Sequence, residues 1–206
     1  MQMKIAILGG NFDPPHLGHY LIALQVKEFL QMDQTWLMPL YHNTAHDTSF
    51  HKPLSDVEHR MNMAKVLENE FIKVSDFEIQ HNPTSYTIDT LQQLEMLYPT
   101  DTFYWITGSD KLKSFQKYHQ WEELLKMYNH IFFPREHMLW HLEEKVKEGL
   151  HLQTIPKNII ILGNKDLVLT NVSSSIIRQR VKNSLSIHYL VPQAIEDYIK
   201  EHKLYE

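Results

Sequence analysis

Ile5 to Leu8, an unbroken aliphatic run, leads directly into Gly9-Gly10-Asn11-Phe12-Asp13-Pro14-Pro15-His16-Leu17-Gly18-His19. The run is short and apolar, the pattern of a buried strand. Beyond Pro15 the apolar residues Leu17, Leu21, Ile22, Leu24 and Val26 fall mostly on one side of a helix. The junction therefore sits on a strand-to-helix turn, and each residue type in it has a physical reason. Gly9 and Gly10 are expected to let backbone amides approach a ligand closely and to adopt conformations closed to other residues. Asp13, Pro14 and Pro15 fit a turn entering a helix, where an aspartate accepts backbone hydrogen bonds and a proline loses no helical donor. His16 and His19, three apart, share a face of the first turn, where unpaired N–H groups and the helix dipole favour phosphate.

Two glycines in an ordinary loop with two surface histidines would be the bland reading, and each piece alone favours it. The combination points instead to a nucleotide-phosphate site. It is neither a Walker loop, which needs a following Gly-Lys-Ser/Thr, nor the Gly-x-Gly-x-x-Gly dinucleotide turn.

With 206 residues, 43% of them hydrophobic and 22% charged, the chain suits one domain spanning 1–206 around one well-developed core. A net charge of -5 gives no support to a polyanion-binding surface, though it leaves room for a local basic patch, and nucleic acid is not expected as a partner. The absence of cysteine excludes disulfide and thiolate chemistry. No signal-like start or long apolar span is present, so a cytoplasmic protein without membrane contact is expected. Of the 14 histidines, His42, His46, His51 and His59 are the densest group. The polar, turn-rich segment that carries most of them lacks metal-ligand spacing, and solvated loop histidines are expected there rather than a metal site.

Strand candidates at Lys4 to Leu8, Thr35 to Met38, Phe71 to Ser75, Thr102 to Thr107 and His130 to Phe133 alternate with helices. These run roughly over Leu17 to Leu30, Asp56 to Asn69, Ile88 to Leu97, Trp121 to Met127 and Glu136 to Lys147. A further strand is expected at Asn158 to Leu162 or Leu167 to Thr170, then helices from Ile176 to about Asn183 and from Gln193 to His202. Alternation predicts an α/β fold, a doubly wound parallel sheet with helices on both faces and ligands beyond the carboxyl ends of the strands. A small helical part, roughly 171–206, follows it. The loop from Leu40 to Ser55 is the one long irregular segment.

A second signal lies far downstream. Ser173, Ser174 and Ser175 precede a helical pattern that begins at Ile176 and carries Arg178. One serine would suffice as a helix cap. Three hydroxyls, N-terminal amides and a guanidinium together suit a polyphosphate.

The first stretch resembles the signature of the nucleotidylyltransferase superfamily, Gly-x-Phe-Asp-Pro-x-His-x-Gly-His, with every fixed position filled. The second resembles its Ile-Ser-Ser-Thr-x-x-Arg segment, with conservative changes at Val172 and Ser175. Ser85-Tyr86-Thr87, followed by Thr90 and Leu91, is similar to the Ser-Tyr-Thr-x-x-Thr-Leu segment of the bacterial nicotinate-nucleotide adenylyltransferases. Gly108-Ser109-Asp110 is similar to that family's Gly-x-Asp turn, implicated in holding ribose hydroxyls. His59-Arg60-Met61, Leu190-Val191-Pro192 and Leu204-Tyr205 extend the likeness over nearly the whole chain.

The resemblance implies a Rossmann-like fold and transfer of the adenylyl group of ATP to nicotinate mononucleotide. His16, His19 and Arg178 would be the catalytic residues. Gly9, Gly10, Asn11, Phe12, Asp13, Gly18, Gly108, Asp110, Ser173, Ser174, Ser175 and Ile176 would bind ATP, which brings magnesium (Mg2+). Ser85, Tyr86, Thr87, Tyr118, His46 and Lys52 would bind the mononucleotide. Two places depart from the family pattern. Where Pro-Pro-His-Lys is usual, this chain has Asn43-Thr44-Ala45-His46-Asp47, leaving His46 or Lys52 to serve. Tyr118 stands where a Trp normally stacks on the pyridine ring, with Trp121 three residues on. Other acceptors, nicotinamide mononucleotide or pantetheine phosphate, and a non-catalytic nucleotide-binding regulatory module are the alternatives. A homo-oligomer is left open.

Overall fold

The structure, a computed structural model, describes residues 2–41, 54–81, 86–135, 140–163 and 166–206. Strands β1 (Lys4–Gly10), β2 (Gln34–Pro39), β3 (Ile72–Val74), β4 (Thr102–Gly108), β5 (Asn129–Phe133) and β6 (Ile159–Ile161) pair in parallel in the order β3-β2-β1-β4-β5-β6. This is a Rossmann-like doubly wound sheet. The chain builds outward from β1 to β3 on one side, then returns to start β4 on the other. The carboxyl ends of β1 and β4 thus flank the point where strand order reverses, the place where such sheets bind ligands.

β1 shows why the opening run has no polar alternation. Ala6 and Leu8 join a core with Ile22, Ala23 and Val26 of α1 (Leu17–Leu30) and Met63 and Ala64 of α2 (Val57–Lys65). Ile5 and Ile7 face the other way, into a core with Ile88, Leu91 and Leu94 of α4 (Thr87–Leu97) and Leu124 and Leu125 of α6 (Trp121–Met127). A strand covered on both faces must be apolar throughout. α7 (Leu142–Gly149) adds Leu142 and Val146 to this second core. α8 (Ser174–Lys182) and α9 (Gln193–Glu201) add Ile177, Ile195 and Ile199 to the first.

Several expectations need correction. α2 ends at Lys65, not Asn69, because the Asn69 side chain caps the next strand, accepting from the N–H groups of Phe71 and Ile72 at 2.9 and 2.8 Å. Of the two late strand candidates, only the first joins the sheet. In 167–170 the backbone of Val168 is taken by the amide of buried Gln25, whose Nε2 donates to Val168 O at 3.0 Å while its Oε1 accepts from Val168 N. α8 starts at Ser174, two residues early. Short helices α3 (Phe77–His81) and α5 (Leu112–Phe115), the latter entered through a 3-10 turn at Ser109–Lys111, were not expected. Part of the predicted helix at Glu136 to Lys147 lies outside the described residues, which show α7 at Leu142–Gly149. Among the described residues no helix is long and apolar enough to cross a membrane.

Candidate active site

The helix following β1 begins with an unusual cap. His16 is the N-cap of α1: its Nδ1 accepts from Gly18 N at 3.1 Å, while His16 N donates to His19 Nδ1 at 3.2 Å. This is a capping box built from two imidazoles, in which each satisfies a helix-end donor. The tautomers follow. Both Nδ1 atoms act as acceptors, so each neutral ring carries its proton on Nε2 and has that N–H to offer a ligand. The rings stack at 3.8 Å with 26° between planes, and Phe12 lies 4.8 Å from His19. Burial lowers the His16 pKa from 6.5 to about 3, helped by the Arg135 charge. Burial, His16 and Arg135 hold His19 well below its ordinary value. Both rings are therefore neutral donors at physiological pH.

The turn before the cap differs from expectation. No glycine has positive φ; the left-handed residue is Phe12 at φ 50°. For a bulky L-residue this costs about 1–2 kcal/mol, so the turn must be held by its surroundings. Gly9 is bare for another reason: a Cβ there would meet Trp105 ring carbons at 2.6 and 2.7 Å. The prolines precede the N-cap instead of occupying the first helical position, and the Asp13-Pro14 peptide is cis.

Asp13, 1% exposed, is the hub of the turn. Its Oδ1 accepts from the Tyr205 hydroxyl at 2.7 Å and its Oδ2 from Ser55 N at 3.3 Å. Its carbonyl accepts from Arg178 Nη1, which also lies 3.9 Å from Oδ2. Ser174 Oγ donates to Pro14 O at 2.8 Å, and Ser173 caps α8 by accepting from Ile176 N at 3.3 Å. The two sequence motifs thus meet directly. Ser174 and one Arg178 donor are committed to the turn, while Ser175 and Ile176 are exposed at the helix start.

Across the switch point, a Cβ on Gly108 would collide with the carboxylate of Asp110. Asp110 pairs with Arg135 at 3.5 Å, and Ser109 Oγ accepts from Arg135 N at 2.8 Å. Arg135 was missed in the sequence. It stands just past β5, beside the switch point, and its charge reaches both motif histidines; its place at a strand's carboxyl end was the available signal. Tyr86 stacks on His119 at 4.5 Å, with Thr87 opening α4. Tyr118 stacks on Phe115 at 5.0 Å and, with Trp121, packs at the edge of the second core. Burial, with Asp110 nearby, raises the Tyr118 pKa to about 12. His46, Lys52 and Ser85 lie outside the described residues, as do His42 and His51.

Residues 7–180 match the family model described as cytidylyltransferase-like. The chain belongs to the cytidylyltransferase-like family. Within it, two relatives named "Probable nicotinate-nucleotide adenylyltransferase", from Oceanobacillus iheyensis and Exiguobacterium sibiricum, are each 36% identical. The matches cover 98% of this chain and 96% and 99% of those proteins. A Plasmodium falciparum nicotinic acid mononucleotide adenylyltransferase complexed with NaAD shares the fold with a TM-score of 0.79 at 22% identity. The superposition covers 99% of this chain and 98% of that one.

In this cytidylyltransferase-like protein the buried imidazoles set a pH dependence. His130, fully buried, uses Nε2 on Leu124 O at 3.0 Å, and its pKa is lowered by burial to about 4. With His16 and His19 it stays neutral in the folded state while the unfolded chain protonates near 6.5. Stability is therefore full above pH 6.5 and falls as acid approaches the folded values. Urea midpoints should decline between pH 7 and 5, before carboxylates titrate. A flat midpoint over that range would contradict the assignment.

Proposed function

We propose that this protein, working as a single domain in the cytoplasm, transfers the adenylyl group of ATP to nicotinate mononucleotide. The products are deamido-NAD and pyrophosphate. The observation that carries the reading is the pair of neutral imidazoles capping α1, each with an Nε2–H to offer at a helix N-terminus, the natural seat of a phosphate. The relatives' shared name supplies the acceptor.

The acceptor's 5′-phosphate attacks the α-phosphorus of ATP in line, and the α–β bridging oxygen leaves with pyrophosphate. A phosphate is already a competent nucleophile, so positioning and charge stabilisation account for the acceleration. His16 and His19 donate to α- and β-phosphate oxygens as charge develops. Gly10 to Asp13 and Gly18 shape the approach of the triphosphate to the helix start, while Gly9 is kept bare by the Trp105 ring. Arg178 gives Asp13 O one of its five donors and offers others to the leaving pyrophosphate, beside Ser173, Ser175 and Ile176 at the start of α8. Gly108 and Asp110 suit the ribose, and Arg135 adds positive charge beside the histidines. Tyr86, Thr87 and Tyr118, with Ser85, His46 and Lys52, are assigned to the mononucleotide.

Among the described residues no group of three or more His, Cys, Asp or Glu side chains is arranged to hold a metal. Mg2+ would instead enter on the ATP oxygens and water, where it would neutralise triphosphate charge.

The test is pyrophosphate release from MgATP with nicotinate mononucleotide, nicotinamide mononucleotide and pantetheine phosphate in parallel. Nicotinate mononucleotide should give by far the highest kcat/KM. Equal efficiency with the nicotinamide compound would contradict the acceptor assignment, and no release with any of them would support a regulatory module.

A further inference from the structure

Arg60 is the most deeply buried Arg or Lys among the described residues, 1% exposed, and although the Asp13 charge acts on it, none of its hydrogen bonds to the described residues goes to a carboxylate. Its donors go to backbone oxygens instead. Nε donates to Ser55 O at 3.0 Å, Nη1 to Asn11 O at 3.0 Å and Leu40 O at 2.7 Å, and Nη2 to Tyr41 O at 3.0 Å. These carbonyls belong to three separate pieces of chain: the motif turn after β1, the exit from β2, and the approach to α2. Burying a guanidinium for stability alone is poor design, since an apolar side chain of similar size would serve at least as well. What an apolar residue could not do is fix four carbonyls in one plane.

The same turn is held from a second side. The Tyr205 hydroxyl donates to Asp13 Oδ1 at 2.7 Å, and Ser55, whose carbonyl Arg60 holds, donates its N–H to Asp13 Oδ2 at 3.3 Å. Arg60 thus takes the backbone of Asn11, and Tyr205 the side chain of Asp13. Between them stands Phe12, whose φ of 50° needs outside support. Three residues past Asp13 comes His16, the cap that sets both imidazoles.

We propose that Arg60 is a positioning residue of the transfer reaction, assisted by Tyr205, fixing the motif turn so that His16 and His19 present their Nε2–H donors to the substrate phosphates. This rests on the function proposed above. Neither side chain touches substrate; both act through the turn.

Arg60→Lys keeps the charge, but a single ammonium cannot span the four carbonyls. Its kcat per folded molecule should fall roughly 10- to 100-fold, with a smaller change in the KM for ATP. Tyr205→Phe removes one hydroxyl and should lower kcat by about 2- to 10-fold. The double variant should lose less than the product of the two, since both grip one turn. A merely structural role would lower the urea midpoint and leave kcat per folded molecule unchanged, so folded Arg60→Lys with wild-type kcat overturns the proposal. Should Arg60→Lys not fold, Tyr205→Phe decides, and wild-type kcat there overturns it equally. Wild type is assayed alongside. If it makes no dinucleotide from nicotinate mononucleotide, the function is wrong, and the variants are compared on whichever acceptor supports pyrophosphate release. No turnover with any acceptor overturns both readings.

Discussion

Replacing His19 with Ala should cut kcat by roughly 10²- to 10³-fold, the range expected for loss of one preorganised donor at the reacting phosphate. The imidazole is neutral and aimed by its own hydrogen bond: Nδ1 accepts from His16 N at 3.2 Å, which leaves Nε2–H as the donor. The same bond means the substitution also removes half of a helix cap, at about 1 kcal/mol. Stability and catalysis must therefore be separated. His16 provides the means. Its Nδ1 accepts from Gly18 N at 3.1 Å, a task that asparagine, a strong N-cap residue, performs as well. His16→Asn should keep the helix and lose the donor, whereas His16→Ala loses both. Steady-state kinetics beside urea denaturation check this. Comparable kcat values for wild type and His16→Asn would show that the cap, and not the Nε2–H, is what matters.

Gly9→Ala should destabilise the fold by about 1–3 kcal/mol, the usual cost of overpacking. The added methyl would lie 2.6 Å from a Trp105 ring carbon, and Trp105 is 5% exposed. Trp105 stands on β4, directly beside Ile7 of β1, so strand pairing gives the indole little room to retreat. Gly10→Ala is the control, because its Cβ would meet the Phe12 ring at an ordinary 3.5 Å. Trp105→Phe should shrink the Gly9→Ala penalty in a double-mutant cycle. Equal effects of Gly9→Ala in both backgrounds would contradict steric control by Trp105.

These two cases show what was legible in the chain. The strand, turn and helix over Ile5 to Val26 are legible, as are α1 at Leu17–Leu30 and α6 at Trp121–Met127, because apolar periodicity is a local property. The convergence of Ser173 to Arg178 on the first motif was also legible, through two rare patterns in one chain. Roles that depend on tertiary neighbours were not. Gly9 reads as a ligand-facing glycine until Trp105 is beside it. Phe12 gives no sign of carrying the positive φ that the pattern assigns to Gly9 or Gly10. Residues 167–170 read as a strand because nothing local announces that Gln25, 143 positions from Val168, takes the backbone of that residue. A histidine pair as a capping box escapes rules built on Ser, Thr, Asp and Asn. Arg60 is legible as part of a motif, but its four carbonyl partners come from three segments that only the fold assembles.

The most direct test follows the α-phosphorus. With ATP labelled there, incubated with magnesium, nicotinate mononucleotide and the purified protein, label should accumulate in deamido-NAD, with one pyrophosphate released for each dinucleotide formed. Label recovered as AMP, or remaining in ATP while the mononucleotide is unchanged, would contradict adenylyl transfer at this site.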